Sequence, residues 1–387
     1  MKLLVIGFGQ CGGRIADEFA RLGIKARFER KINIITGAFA VNTDVADLSG
    51  LVTIRPDYQH RVLIGGNKTG GHGVGKINEL GAEIARDDGD KIIDAIKDTP
   101  QFAETDAFLL IAGSAGGTGS GAIATITQKL KERYIEKPLY NLIVLPFQHE
   151  EETEGRTIYN AATCLKSAYL VADAVFIVDN QRYISKNYSI RGNLSKINSL
   201  IAEPFYNLLC AGEETRPQYI GSRILDAGDI IQTLAGWTVI GYSKSQLGRM
   251  KNPFDFRDKM AEGQRGVQLI NNAISELSLR CNPADAGRGL YLISAPAKEM
   301  DMSLVKDIGT HLKRIAPEAI IRAGDYPREK GSLNVTVILS EFSGMRKIID
   351  YFTQTIDLIT AIKRKREGIE VQHGDLADAF KDIPSLI

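Results

Sequence analysis

The chain has 387 residues, 44% of them hydrophobic and 25% charged, enough apolar mass for two packed cores. Its 48 Lys and Arg nearly balance 47 Asp and Glu, which argues against a surface built for nucleic acid or anionic lipid. The four cysteines (Cys11, Cys164, Cys210, Cys281) share no C-x-x-C spacing. Neither a disulfide framework nor a zinc site is expected, the expected compartment is the reducing cytoplasm, and no apolar run is long enough for membrane insertion.

Short apolar strands alternate with amphipathic helices through the first part of the chain, the signature of a wound parallel sheet. Strands are expected at 2–7, 38–41, 61–64, 107–112, 139–145 and 174–178, and helices at 10–22, 76–96, 118–133 and 156–170. The run Phe108-Leu109-Leu110-Ile111-Ala112 is continuously apolar, as a strand covered on both faces should be. A long helix is expected over 194–210, with Ile197, Leu200, Ile201, Phe205 and Leu208 at helical spacing; Pro204 suggests a kink or break in it.

Further on stand Asp226-Ala227-Gly228-Asp229, a strand over 237–242 and a polar segment, 243–264, that reads as a long surface loop. A second α/β unit follows, with a helix over 267–279 and strands near 290–294, 319–322 and 333–339. The last helix, 344–363, carries Met345, Ile348, Ile349, Phe352, Ile356 and Ile359 on one stripe. It runs into Lys363-Arg364-Lys365-Arg366, which suits the negative end of a helix dipole. Residues 367–387 read as a flexible tail, and Glu150-Glu151-Glu152 as a solvated acidic loop.

The 38 glycines are clustered, and the clusters carry the chemistry. Gly7-Phe8-Gly9-Gln10-Cys11-Gly12 falls between a strand and a helix and matches G-x-G-x-x-G. Alone it serves a dinucleotide-binding oxidoreductase using NAD(P) as well as any other phosphate binder. Gly113-Ser114-Ala115-Gly116-Gly117-Thr118-Gly119-Ser120-Gly121 is far more specific. Its backbone can curl around an anion with N–H groups pointing inward, at the positive end of a helix. Gly70-Gly71-His72-Gly73-Val74-Gly75 also precedes a helix, and Gly75-Lys76 is followed by Ile77 rather than Ser or Thr, so no P-loop is present. Several phosphate loops on one sheet point to a polyphosphate ligand.

The 113–121 segment closely resembles the signature loop of the tubulin/FtsZ superfamily, and the mixture of loops is most similar to the archaeal CetZ group, with FtsZ next. Gly9-Gln10-Cys11-Gly12 resembles the tubulin first loop, Asn42-Thr43-Asp44 the FtsZ second loop and 71–81 the FtsZ third loop. Pro146-Phe147 with Glu154-Gly155-Arg156 resembles the ribose-contacting fifth loop, and Asn180 and Asn198 match base-contacting asparagines. Leu194 stands where an aromatic stacks on guanine, and Ile158 where a basic residue is usual.

The resemblance implies an α/β fold: a parallel-sheet, Rossmann-like GTPase domain (1–190), a central connecting helix (191–215) and a smaller α/β activation domain (216–342). A C-terminal helix (343–366) and a tail (367–387) complete it. It implies GTP/GDP with Mg2+, held at Gly9, Gln10, Cys11, Arg14, Asn42, Asp44, Gly73, Val74, Gly75, Ser114, Ala115, Gly116, Gly117, Thr118, Gly119, Ser120, Glu154, Asn180 and Asn198, with no protein metal cage.

Asp226 and Asp229 are the candidate catalytic pair, able to polarise water; helix capping is the competing reading. In this family the corresponding loop reaches the nucleotide of the neighbouring subunit, so the implied partner is the chain itself, in head-to-tail protofilaments serving cell shape or division. A non-hydrolysing nucleotide-binding scaffold is the remaining alternative. The apolar end, 379–387, is a candidate docking peptide for a protein partner.

Overall fold

A computed structural model describes residues 1–184, 190–245, 256–300, 302–329, 331–367 and 384–387. The chain divides into two compact units. The larger comprises Leu3–Arg21, Ile35–Ser199 and Gly344–Ile387; the other comprises Met1–Lys2, Leu22–Ile34 and Leu200–Ser343.

In chain order the elements are β1 (Leu3–Phe8), α1 (Gly9–Arg30), β2 (Ile35–Asn42), α2 (Val45–Ser49), β3 (Arg61–Leu63), α3 (Gly66–Thr69) and α4 (Asn78–Lys97). Next come β4 (Ala107–Gly113), α5 (Thr118–Arg133), β5 (Leu139–Leu145), α6 (Gln148–Thr153), α7 (Gly155–Val171), β6 (Ala174–Asp179) and α8 (Ile190–Ala211). The remainder is α9 (Ala227–Thr233), β7 (Gly236–Ser245), α10 (Phe256–Ser275), β8 (Ala286–Pro296), α11 (Met302–Ile315), β9 (Ile320–Arg328), β10 (Leu333–Phe342) and α12 (Arg346–Glu367).

In the larger unit the strand order is β3-β2-β1-β4-β5-β6, every neighbour parallel. Val5 pairs with Leu109, and Leu110 with Asn141. Parallel strands need covered crossovers, and the sequence supplies them. β1, β5 and β6 are buried along their whole lengths. Each Leu or Ile there contributes about 1.5–3 kcal/mol by leaving water. This arrangement brings the glycine loops after β1 and β4 to the same carboxyl-terminal edge, where such sheets form their ligand crevices.

The other unit has the order β7-β10-β8-β9. β10 runs antiparallel to β7 and β8, whereas β8 and β9 are parallel, with α11 as their crossover.

Several elements differ from the sequence expectation. The segment 243–264 is not one loop: β7 continues to Ser245 and α10 starts at Phe256, with 246–255 outside the described residues. Helix α11 is unanticipated. Its Gly309 looks like a breaker, yet a Cβ there would lie 2.8 Å from the Tyr291 hydroxyl, so the glycine admits a close helix–sheet contact. α1 runs to Arg30 rather than ending at 22. α8 carries on through Pro204 without a break.

The acidic run Glu150–Glu152 forms part of α6. Glu150 Oε2 accepts from the Phe147 amide at 2.9 Å, and Glu151 lies 3.6 Å from Lys347 Nζ. These carboxylates tie down a helix start and α12 instead of facing only solvent. The basic run 363–366 is helical, its side chains outside the described set. Of the expected tail, 368–383 lies outside the described residues; among the last four, Leu386 is packed into the larger unit, only 5% exposed.

Candidate functional site

The turn from β1 into α1 requires glycine. A Cβ on Gly12 would lie 2.0 Å from the Ile111 carbonyl oxygen of β4, so only a hydrogen there lets α1 start flush against the strand carrying the next loop. The 113–121 loop follows at the end of that strand. α5 begins at Thr118 with Gly117 as its N-cap residue and no side-chain cap. The amides of its first turn thus have no intrahelical acceptor, and point where an anion is favoured.

Asn160 on α7 sets which way the loop faces. Its Nδ2 donates to the carbonyls of Ala115 (3.0 Å), Gly116 (3.3 Å) and Lys76 (2.9 Å). Carbonyls turned toward Asn160 leave the N–H face for the cavity. At Gly116 an added Cβ would meet nothing within 4 Å.

A cavity of about 570 Å³ opens at this edge, within the range of small-molecule sites. Gly9, Gln10, Cys11 and Arg14 line it from the first loop, Asn42 and Asp44 from the second, and Gly73 and Val74 from the third. Ala115, Gly116, Gly117, Thr118 and Gly119 line it from the fourth, Asn180 from the turn just after β6 and Asn198 from α8. Leu194, one helical turn before Asn198, also faces it.

The remaining expected contacts do not line the cavity. Ser114 is fully buried and spends its hydroxyl on the Val144 carbonyl at 3.1 Å. The Ser120 hydroxyl turns back onto the Gly116 carbonyl. Glu154 is ion-paired with Lys76, and that pairing, largest among the causes, holds its carboxyl below the usual range. Gly75 serves the loop as a left-handed residue, φ +59°.

The structure adds residues that the sequence reading missed. Asp47 accepts from Gln10 Nε2 at 2.6 Å and from Asn42 Nδ2 at 3.1 Å, and its own amide donates to Asp44 Oδ1 at 3.0 Å. Thr43 and Thr118 share a hydroxyl hydrogen bond of 2.6 Å, locking the second loop to the fourth. Lys76, His149 and Glu150 also line the cavity, and the His149 ring stacks on Phe147 with centroids 5.6 Å apart. The one available signal was adjacency: Asp47 follows the Asn42-Thr43-Asp44 motif by one helical turn.

Burial, with a smaller push from Glu150, raises the Cys11 thiol to about 12. It is a neutral wall residue, with no thiolate for nucleophilic chemistry.

Asp226 and Asp229 lie in the other unit and do not line this cavity. Asp226 is the N-cap of α9, its Oδ1 accepting from the Asp229 amide at 2.9 Å. Asp229 Oδ1 is 3.4 Å from Arg322 Nε. The capping reading of Asp226 is therefore realised in the structure, and the residue is exposed.

A parallel α/β unit with glycine loops gathered at the carboxyl edge around one cavity is the nucleotide-domain architecture of the tubulin/FtsZ fold. The model of the Tubulin/FtsZ family GTPase domain matches residues 2–187, and that of the tubulin-like CetZ C-terminal domain matches 187–357. Tubulin-like protein CetZ1 of Haloferax volcanii is 35% identical over 344 residues, 84% of each chain. Tubulin-like protein CetZ of Pyrococcus furiosus is 29% identical over 96% of this chain and 92% of its own.

Among solved structures, the GDP-bound monomer of Haloferax volcanii CetZ1 superposes with a TM-score of 0.79 at 30% identity, covering 93% of this chain and all of that one. The GTPγS-bound protofilament of CetZ2 from the same organism gives 0.80 at 27%, covering 94% and 100%. An FtsZ dimer of M. jannaschii, at 19% identity and a TM-score of 0.64, shares the fold. The chain belongs to the tubulin/FtsZ family, and within it to the tubulin-like CetZ proteins.

Proposed function

We propose that this CetZ-family chain binds GTP in the cavity of the larger unit and hydrolyses it as it assembles head to tail into protofilaments. The observation that carries the reading is the convergence of the glycine loops on one cavity, with the Gly116 position open and first-turn amides of α5 available for phosphate. The GDP-bound CetZ1 and the GTPγS-bound CetZ2 protofilament support it by likeness. The NAD(P) oxidoreductase rests on the first glycine loop alone and gives the 113–121 loop no task.

The residues divide the work. Gly9, Gln10, Cys11 and the segment 115–119 would cradle the phosphates, with Ser114, Ser120 and Gly75 shaping the loops from behind. Asn180 and Asn198 would read the base and Leu194 would cover it; Glu154 would act through Lys76 at the rim. Phosphoryl transfer needs positioning and charge stabilisation rather than covalent help.

Mg2+ fits a site of this kind. It is usually held by one or two carboxylates plus phosphate and water rather than an all-protein cage, and Asp44, which lines the cavity, would supply the carboxylate. When bound, it neutralises charge on the terminal phosphates.

Asp226 and Asp229 of one subunit would complete the site of the next by orienting water, so turnover depends on assembly. Such heterologous contacts build open filaments, consistent with a role in cell shape or division in the cytoplasm. Among the described residues no helix is long and apolar enough to cross a membrane.

The bond from Asp226 to the Asp229 amide favours one second reading: the pair only caps α9, and the chain is a non-hydrolysing scaffold. Phosphate release with GTP and Mg2+, measured against protein concentration alongside light scattering, separates the two. A steep rise above a threshold, lost in Asp226→Asn while scattering persists, supports the shared site. Release linear in concentration and insensitive to the substitution places hydrolysis within one subunit. Bound GTP with no release in either protein leaves the scaffold.

A further inference from the structure

Leu386 is held at three points on the larger unit. Its amide donates to Ser167 Oγ on α7 at 2.9 Å, its carbonyl accepts from Arg86 Nη2 on α4 at 2.9 Å, and its side chain is buried to 5% exposure. Both backbone groups of one residue are thereby satisfied by side chains on two helices. The neighbours contribute little: Pro384 and Ser385 are exposed and Ile387 is 40% exposed.

Ser167 is fully buried, and the bond from Leu386 is the one hydrogen bond described for its hydroxyl. Without that partner a buried hydroxyl on α7 would stand unsatisfied, which native structures avoid. The Arg86 backbone is fixed as well, its carbonyl accepting from Lys129 Nζ of α5 at 2.9 Å. The seat therefore combines a fully buried hydroxyl on α7 with an exposed arginine whose backbone is held by α5.

We propose that residues 384–387 are an in-cis ligand of this α4/α7 seat, with Leu386 as the anchor. The occupant is this chain's own segment. α12 packs along α7, with Thr355 Oγ1 donating to the Ile158 carbonyl at 3.4 Å. Residues 368–383 reach up to roughly 55 Å when extended, ample for a return to the helix that α12 already lies against. A partner that takes this apolar segment must first compete with the seat, so recruitment is held back by the molecule itself. The proposal stands on these contacts and is independent of the nucleotide chemistry.

A fluorescein-labelled peptide of residues 381–387, followed by anisotropy, tests it on the full chain and on a chain lacking 384–387. The peptide is expected to bind the truncated chain saturably and the full chain on the order of tenfold more weakly. Leu386→Asp in the full chain should open the seat as truncation does, and the same change in the peptide should abolish binding. Equal affinity for full and truncated chains, or no binding to the truncated chain, overturns the proposal. Protection that disappears on dilution overturns it in favour of a second copy's segment.

Discussion

Asp47 Oδ1 accepts a hydrogen bond from Gln10 Nε2 at 2.6 Å, joining the helix of the first glycine loop to the short helix of the second. The other oxygen takes Asn42 Nδ2 at 3.1 Å. One carboxylate thus fixes two side chains that line the cavity. Asp47→Ala is expected to lower GTP affinity about tenfold, the equivalent of ~1.4 kcal/mol, by releasing both. Titration with a fluorescent GTP analogue measures it, and an unchanged Kd would show that Gln10 and Asn42 need no anchor.

Gly12→Ala and Gly116→Ala should fail differently. The first drives a Cβ to 2.0 Å from the Ile111 carbonyl oxygen, where backbone must move; a loss of about 2–4 kcal/mol is expected in urea unfolding. The second finds open space within 4 Å, so the unfolding midpoint should hold while nucleotide affinity falls. A Gly116→Ala chain binding GTP like wild type would remove phosphate from that side of the loop.

Asp226→Ala and Asp226→Asn separate capping from chemistry. Ala deletes the acceptor for the Asp229 amide and should cost about 1 kcal/mol, whereas Asn caps as well as Asp. Both should lose assembly-dependent phosphate release, and only Ala should shift the melting temperature. Full turnover in the Asn variant would confine Asp226 to the cap.

Glu214 gives a pH dependence with a defined sign. Its side chain is 1% exposed. Burial alone would raise its pKa, but hydrogen bonds from Arg216 Nε at 2.8 Å and Nη2 at 3.0 Å, and from the Tyr326 hydroxyl at 3.0 Å, outweigh that and hold it below the usual carboxylate value. A depressed folded pKa contributes stability that is present above the unfolded value, near pH 4.5, and is lost as pH falls through the folded one. Glu214→Gln should cost about 3 kcal/mol at neutral pH and flatten the acid limb of the stability curve. An acid limb unchanged in that variant assigns it to other carboxylates.

Legibility in the sequence followed the range of the interactions involved. The apolar run at 108–112 and the loop at 113–121 are local patterns whose physics is complete in a few residues, and they led to the correct family and fold. Asp47 and Lys76 are set by pairings with distant segments, Gln10 and Glu154, which no local period encodes, and His149 and Glu150 reach the cavity from the short helix α6. α11 was not anticipated, and the reason for its Gly309 lies in Tyr291 on another element. The apolar end at 379–387 was legible as a docking peptide, but not where Leu386 docks, because its backbone bonds go to Arg86 and Ser167, about 300 and 219 positions away.

The single amide nitrogen of Asn160 serves carbonyls from Lys76, Ala115 and Gly116. Two loops that are separate in the chain are therefore one mechanical part, pinned to α7 through a shared rivet. A ligand group that pulls on either loop must carry the other with it or break the pin, so the loss of a terminal phosphate would be felt along α7 as a single event rather than as two independent relaxations.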